Sequence, residues 1–376
     1  MKLLVVDHNA VRKSDRTLYR ALSGILGVSP TLLVPRQWRE PHSVSTFEAE
    51  NSEMRVIPDS TLFTGKSHRV LYRSLSTTVK EMRPDIIYVN AEPESFLAWQ
   101  AVTVRANHHP EAKVVIDSWR NMDYPTVGYP YRFAWLHARI EKLVRERAEH
   151  CVAHTGTGKA TLQMDGFKDI TVIPPAVDME MFRPEKDRTG GNAGPFTIGF
   201  VGRFIPEKGL DLLLRAAATL PFEYRLLLVG DGPAMTECAR LASHLNISDR
   251  VVWHGKALHS DVPLLLRQMH AVVLPSRTGV VWKEQFGRIL IEAMAVGVPV
   301  IGSTSGEIPR VIGDAGLTFA EQNVEDLREQ IVRLHEDGEA RRRLVAKALQ
   351  RVSTLYAVPV VAQGYADLFN DLADRM

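Results

Sequence analysis

Thr197-Ile198-Gly199-Phe200-Val201-Gly202-Arg203-Phe204-Ile205-Pro206-Glu207-Lys208-Gly209 runs into Leu210-Asp211-Leu212-Leu213-Leu214-Arg215-Ala216-Ala217. The first five residues are an apolar run of strand length and the last eight carry a helical pattern, so the stretch reads as strand, loop and helix. Gly202 permits a tight turn out of the strand, and Arg203 and Lys208 place two cations at its C-terminal end, where open α/β sheets bind ligands. Two readings stand at this point: a loop with two solvated cations, or a pair that neutralises a leaving pyrophosphate.

Working outward, strands at Tyr224 to Val229, Val251 to Trp253, Ala271 to Leu274 and Pro299 to Ile301 continue the alternation. Gly230-Asp231-Gly232-Pro233 closes the first of these with a turn that opens on the same side, although turn chemistry alone accounts for it. Before residue 196 the chain shows a similar series. Leu3 to Val6 reads as a buried strand, Arg16 to Leu26 as a helix, Thr31 to Val34 as a strand, and Arg36 to Lys66 as loops and short edge strands. Val70 to Met82 reads as a helix, Ile86 to Val89 and Val114 to Ile116 as strands, Tyr131 to Ala148 as an amphipathic helix, and Cys151 to His154 and Ile170 to Ile173 as strands. Two successive α/β series predict two Rossmann-like, doubly wound domains with a cleft at the strand C-terminal ends. The expected boundaries are 1–185 for the first domain, 186–195 for a polar linker containing Gly190-Gly191, 196–356 for the second, and 357–376 for a last helix, Val360 to Ala373, free to pack on either half.

At 376 residues the chain is too long for one core, and two domains of roughly 180 residues are the natural division. A composition 45% hydrophobic and 24% charged is that of a soluble globular protein, and a net charge of +2 argues against a dedicated nucleic-acid binder. Cys151 and Cys238 lie far apart without metal-ligand spacing, so both read as free thiols of a reducing compartment. The opening apolar run is too short for a signal-peptide core and no stretch nears eighteen uninterrupted apolar residues, so a cytoplasmic location is expected. The helix Tyr131 to Ala148 mixes Arg132, Arg139, Lys142, Arg145 and Arg147 with Phe133, Trp135 and Leu136. It either docks on its own sheet or rests on an anionic membrane at the inner face.

The second chemical stretch is Glu284-Gln285-Phe286-Gly287-Arg288-Ile289-Leu290-Ile291-Glu292, ending at Gly297 and Pro299. Its apolar residues repeat at helical spacing from Gly287, and a helix start carries unpaired N–H groups and about half a positive charge, which attract phosphate. Eight residues at ~1.5 Å each span roughly 12 Å, the reach of a nucleotide sugar from ribose to hexose. Glu284 and Glu292 are thus placed to grip its two ends, or else Glu284 is a solvated loop residue and Glu292 a paired helix glutamate. Glu292 lies in an otherwise apolar run, so a buried carboxylate there requires a protein or ligand partner.

Gly199-Phe200-Val201-Gly202 is not the dinucleotide fingerprint, and Gly156-Thr157-Gly158-Lys159-Ala160 lacks the first glycine and the terminal hydroxyl of a P-loop. No aspartate pair separated by one residue appears and the thirteen histidines form no His-Glu-x-x-His, so no metal or resident cofactor is expected.

Together, Gly202-Arg203 to Lys208-Gly209, Gly230-Asp231-Gly232-Pro233, Pro275-Ser276-Arg277, the two glutamates around Phe286-Gly287, and Gly306-Glu307-Ile308-Pro309 resemble glycosyltransferase family 4 over about residues 196 to 335. A weaker likeness appears at Pro84-Asp85-Ile86-Ile87 and from Ile173-Pro174-Pro175-Ala176-Val177-Asp178 to Phe182-Arg183-Pro184. The resemblance implies a GT-B fold, a donor held by the second domain, an acceptor held by the first, a last helix crossing back to the first, and metal-independent transfer with retention. By motif position Arg203 and Lys208 would hold the diphosphate, Glu284 would contact sugar hydroxyls, the backbone of Phe286, Gly287 and Arg288 would meet phosphate and sugar, and Glu292 would bind ribose. Base recognition is expected near Gly255-Lys256 and Pro275 to Arg277, with Gly202 and Gly232 shaping the donor loops. The donor expected is a UDP- or GDP-hexose, and the acceptor a glycan, glycolipid or small-molecule hydroxyl in polysaccharide or glycoconjugate assembly.

The chain departs from the family pattern in its first domain. Asp7-His8-Asn9-Ala10 follows the first strand without the usual glycines, and Asp117-Ser118-Trp119-Arg120-Asn121 stands where many members carry a histidine. The latter looks like a subgroup in which Tyr124-Pro125 follows. Asn121 either hydrogen-bonds the transferred sugar or caps its loop; Asn9, Glu92 and Trp119 are expected on the acceptor side, Glu92 with a solvated loop as its other reading. Two further functions remain open: a sugar-nucleotide epimerase or hydrolase of the same fold, and a non-catalytic sugar-nucleotide-binding scaffold.

Overall fold

The computed structural model describes residues 1–25, 27–40, 43–52, 54–124, 128–185 and 194–374. Most of the expected linker, including Gly190-Gly191, and Pro125 lie outside the described residues. The chain forms two units: Met1–Ala176 with Val358–Met376, and Val177–Ala357.

In the first unit, strands Lys2–Asp7, Ser29–Pro35, Arg55–Asp59, Ile86–Asn90, Lys113–Ser118, His150–Ala153 and Ile170–Val172 form one parallel sheet. Numbered in chain order they lie 3-2-1-4-5-6-7, so the order reverses beside Lys2–Asp7. Leu3 to Val6 and Ile86 to Val89 are buried on both faces, which is why they read as continuous apolar runs rather than alternating ones. One face packs on helices Leu75–Met82, Phe96–His108 and Ala134–Arg147. The other packs on Thr17–Ser23 and the final helix Val358–Asp374, whose Val361, Tyr365, Ala366 and Phe369 enter the core.

One expectation for this unit is corrected. Helix does not begin at Val70: Leu71–Tyr72 pairs antiparallel with Thr61–Leu62, and helix starts at Leu75. The cause is tertiary, because the Gln100 side chain accepts from the Tyr72 N–H at 3.0 Å and donates to its carbonyl at 2.7 Å, holding the segment extended. The polar stretch after Arg36 holds short strands, as expected: an antiparallel pair, Gln37–Glu40 with Ser43–Thr46, and Arg55–Asp59 at the edge of the main sheet.

In the second unit, Phe196–Val201, Tyr224–Val229, Val251–Gly255, Ala271–Leu274, Val300–Ser303 and Leu317–Phe319 make a six-stranded parallel sheet in the order 3-2-1-4-5-6. This is the doubly wound order, in which strand order reverses between the first and fourth strands. The last strand carries only three residues and the sequence reading did not include it. The chain enters this unit at Val177, whose N–H donates to Tyr356 O at 2.8 Å and which bridges Ala357, so entry and exit lie side by side. Phe182 is buried, and residues 177–185 belong to this unit. No described helix is long and apolar enough to cross a membrane.

Candidate active site

Strand-order reversal in the second unit sets the C-terminal ends of Phe196–Val201 and Ala271–Leu274 beside each other. The loops that follow are pinned by backbone contact. A Cβ on Gly209, at φ +66°, would overlap the Pro275 carbonyl oxygen, and one on Gly306, at φ +56°, would overlap that of Glu284. The Arg277 N–H donates to Glu207 O at 2.8 Å, and Phe204 donates to Asp231 O at 2.8 Å. The loops 202–209, 230–233, 275–277, 284–287 and 306–307 therefore form one locus, although they are dispersed over a hundred residues of chain.

At its centre, Lys208 Nζ lies 2.6 Å from Glu284 Oε2, and the Ser276 hydroxyl donates to the same oxygen at 2.6 Å. Glu284 is 6% exposed and Ser276 fully buried. The ammonium also stands 5.6 Å from the centre of the Trp282 ring, a cation–π distance that holds the long side chain in place. Glu284 Oε1 has no hydrogen-bond partner among the described residues. Arg203 is exposed and makes no ion pair among the described residues, leaving its guanidinium available to an anion.

Gly287, at φ +81°, is the residue before helix Arg288–Ala295, and it is buried against Leu274. The Phe286 ring packs edge-on to Tyr356 at 5.6 Å, so its backbone alone is left for a ligand, while Arg288 is exposed. Glu292 is 8% exposed inside this helix, and among the described residues its side chain pairs with His259 alone, Nε2 lying 3.2 Å from Oε1. Since a carboxylate only accepts, Nε2 carries the proton. The His259 ring stands 5.3 Å from that of Phe182.

Lys256 is exposed just beyond Gly255, whose carbonyl accepts from Gly230 at 2.8 Å. Arg277, expected near the base, is ion-paired with Asp211. Gly202 and Gly232 both sit in the loops of this locus, and the Gly232 N–H donates to Asp231 Oδ1 at 2.7 Å.

In the first unit the predicted acceptor-side residues gather at strand C-terminal ends, around groups the sequence reading did not single out. Asn9 donates its backbone N–H to Asp7 Oδ1 at 2.8 Å and is exposed. Glu92 is not a solvated loop residue: it accepts from the Ser118 hydroxyl at 2.6 Å and the Trp119 N–H at 3.0 Å. Burial, reinforced by neighbouring Glu94, raises its carboxyl pKa to about 7. The Trp119 ring lies 4.0 Å from that of His154, whose Nε2 is 2.8 Å from Asp117 Oδ1. Burial lowers the His154 pKa, but Asp117 more than offsets it, and the pKa is raised above its ordinary value. Asp117 also accepts from Tyr88 and, at 3.4 Å, from Tyr365 of the final helix.

Asn121 is buried beside Arg120. Arg120 is fully buried and ion-paired with Glu94, with Glu141 at 2.7 Å and with Asp165 at 2.6 Å. Its neighbours in sequence carry no signal of this, since the three carboxylates come from distant segments. Among the described residues, no group of three or more His, Cys, Asp or Glu side chains is placed to hold a metal ion.

Two family models divide the chain between them: that of Glycosyltransferase Family 4 matches residues 16–181 and that of Glycosyl transferases group 1 matches residues 182–351. The chain belongs to the group-1, family 4 glycosyltransferases, and its two α/β units are those of the GT-B fold. It is 37% identical over 193 residues to D-inositol 3-phosphate glycosyltransferases of Mycobacterium tuberculosis and Mycobacterium bovis, a match covering 47% of this chain and 38% of the relative. The match thus spans well under half the length of those relatives. Its fold is similar to sucrose-phosphate synthase of Thermosynechococcus elongatus (TM-score 0.75, 19% identity, 100% of both chains). It is equally similar to Anabaena HepE in complex with UDP (TM-score 0.75, 18% identity, 99% of this chain and 100% of that one).

Proposed function

We propose that the protein is a retaining, metal-independent hexosyltransferase that uses a nucleotide-sugar donor and a hydroxyl acceptor in polysaccharide or glycoconjugate biosynthesis. The observation that carries this reading is the single locus at the switch point of the second unit, where Arg203, the Lys208–Glu284 pair and the helix start at Gly287 come together. An exposed guanidinium, an ammonium with donors to spare and unpaired helix N–H groups are the complement of a diphosphate. A carboxylate with one oxygen open suits sugar hydroxyls. The HepE structure with UDP-glucose supports a UDP-hexose, with a GDP-hexose as the other candidate.

In the proposed reaction the bond from the anomeric carbon to the diphosphate oxygen breaks and one to the acceptor oxygen forms on the same face. The acceptor proton passes to the departing phosphate, so no protein base is needed. Arg203 and Lys208 stabilise the charge that builds on the leaving group, the place where fixed cations contribute most. Acceptor binding is assigned to the first unit, through Asn9, Glu92, Trp119 and Asn121, with Asn121 toward the transferred sugar.

The protein is proposed to work in the cytoplasm, at the inner face of the membrane. Trp135 is 62% exposed and Phe133 45%, beside the exposed cations Arg132, Arg139 and Lys142, a combination suited to an anionic lipid surface.

The test is transfer from UDP- and GDP-hexoses to D-inositol 3-phosphate and to glycolipid acceptors with EDTA present. The reading requires product whose anomeric configuration, read from its proton coupling constant, matches the donor. Inverted product or loss of activity on chelation would overturn retention or metal independence respectively.

A further inference from the structure

We infer that His259 is a positioning residue that orients Glu292 for a ribose diol and makes the site selective for ribonucleotides over 2′-deoxyribonucleotides. The inference rests on the donor reading above. Glu292 is 8% exposed, and among the described residues His259 supplies its carboxylate's one hydrogen bond, 3.2 Å from Nε2 to Oε1. A carboxylate has lone pairs for about four donors, and a nearly buried one that meets a single donor is under-satisfied. Its second oxygen therefore needs donors from outside the chain, and two vicinal hydroxyls supply them.

His259 comes from the loop after Val251–Gly255, not from the helix that carries Glu292. Its ring is fixed on one side by Phe182, itself 1% exposed, at 5.3 Å between centroids. Holding one oxygen sets the plane of the carboxylate and leaves Oε2 as the free acceptor. Without His259, Glu292 turns toward water and loses the orientation that distinguishes a diol from a single hydroxyl.

The experiment is calorimetric titration of the full chain with UDP, GDP, dUDP and dGDP. Wild type is expected to bind the ribose form of one base at least tenfold more tightly than its 2′-deoxy form. His259→Ala is expected to bring that ratio within threefold by weakening the ribose form alone, and His259→Gln, which keeps an N–H at the same place, to restore it. A His259→Ala ratio equal to wild type, with Glu292→Gln abolishing it, would overturn the role of His259 and leave the donor reading intact. Equal weakening of both forms would reduce His259 to a structural part and also overturn it. Failure of wild type to bind any of the four would remove the donor reading itself.

Discussion

Lys208 Nζ and the Ser276 hydroxyl meet on one oxygen of Glu284, each at 2.6 Å, although Lys208 follows the first strand of the second unit and the other two lie between Ala271–Leu274 and helix Arg288–Ala295. The pairing gives a carboxylate that is only 6% exposed a fixed direction. It also ties the residue proposed for the leaving diphosphate to the one proposed for the hexose.

Glu284→Ala is therefore expected to abolish most transfer while leaving nucleoside diphosphate binding largely in place. Hydrogen bonds to a charged group are worth ~1.5–3 kcal/mol, or roughly 10- to 100-fold in kcat/KM. Steady-state kinetics with titration of the free diphosphate checks this; unchanged kcat/KM would remove Glu284 from the site.

Arg120→Ala should strongly destabilise the first unit. Arg120 is fully buried with Glu94, Glu141 and Asp165 around it, and removing it leaves buried carboxylates without their cation, a change that costs about 3–5 kcal/mol. Arg120→Lys recovers little, because one ammonium cannot reproduce a planar fork shared among three acceptors. Urea denaturation followed by circular dichroism measures the loss. A variant as stable as wild type would mean that the three carboxylates are held by other contacts.

Stability should fall as pH rises through the window set by Glu92. Burial and neighbouring Glu94 raise its pKa from the ordinary 4.5 to about 7. The folded state thus binds more protons than the unfolded one between those values, and its contribution is full below the lower and lost above the upper. Glu92→Gln should flatten this part of the pH–stability profile and change little at low pH. An unaltered slope between pH 4.5 and 7 would assign that titration elsewhere.

The legibility of the chain in its sequence followed the range of the forces involved. Strands such as Tyr224–Val229 and helix Leu210–Ala217 were readable because local burial on both sides of a parallel sheet imposes continuous apolar runs, and a Gly at helix start marks its own boundary. Leu71–Tyr72 carries a helical pattern, and what holds it extended is Gln100, a long-range partner that leaves no local trace. Lys208 and Glu284 were named as candidates separately, yet their pairing needs Gly209 against Pro275 and Gly306 against Glu284. The Arg120 cluster and the His259–Glu292 contact were invisible for the same reason, since each joins segments whose proximity only the sheet order creates. Arg277 shows the converse: its type and place suggested a ligand contact, and Asp211 from the neighbouring helix occupies it.

The most direct test of the donor locus is ligand-observed NMR with UDP-, GDP-, dTDP- and ADP-hexoses, comparing wild type with Lys208→Ala. The prediction is selective binding of one donor, UDP- or GDP-linked, that disappears in the variant. Binding of none by wild type, or equal binding by the variant, would contradict the assignment of the Lys208–Glu284 locus to a nucleotide sugar.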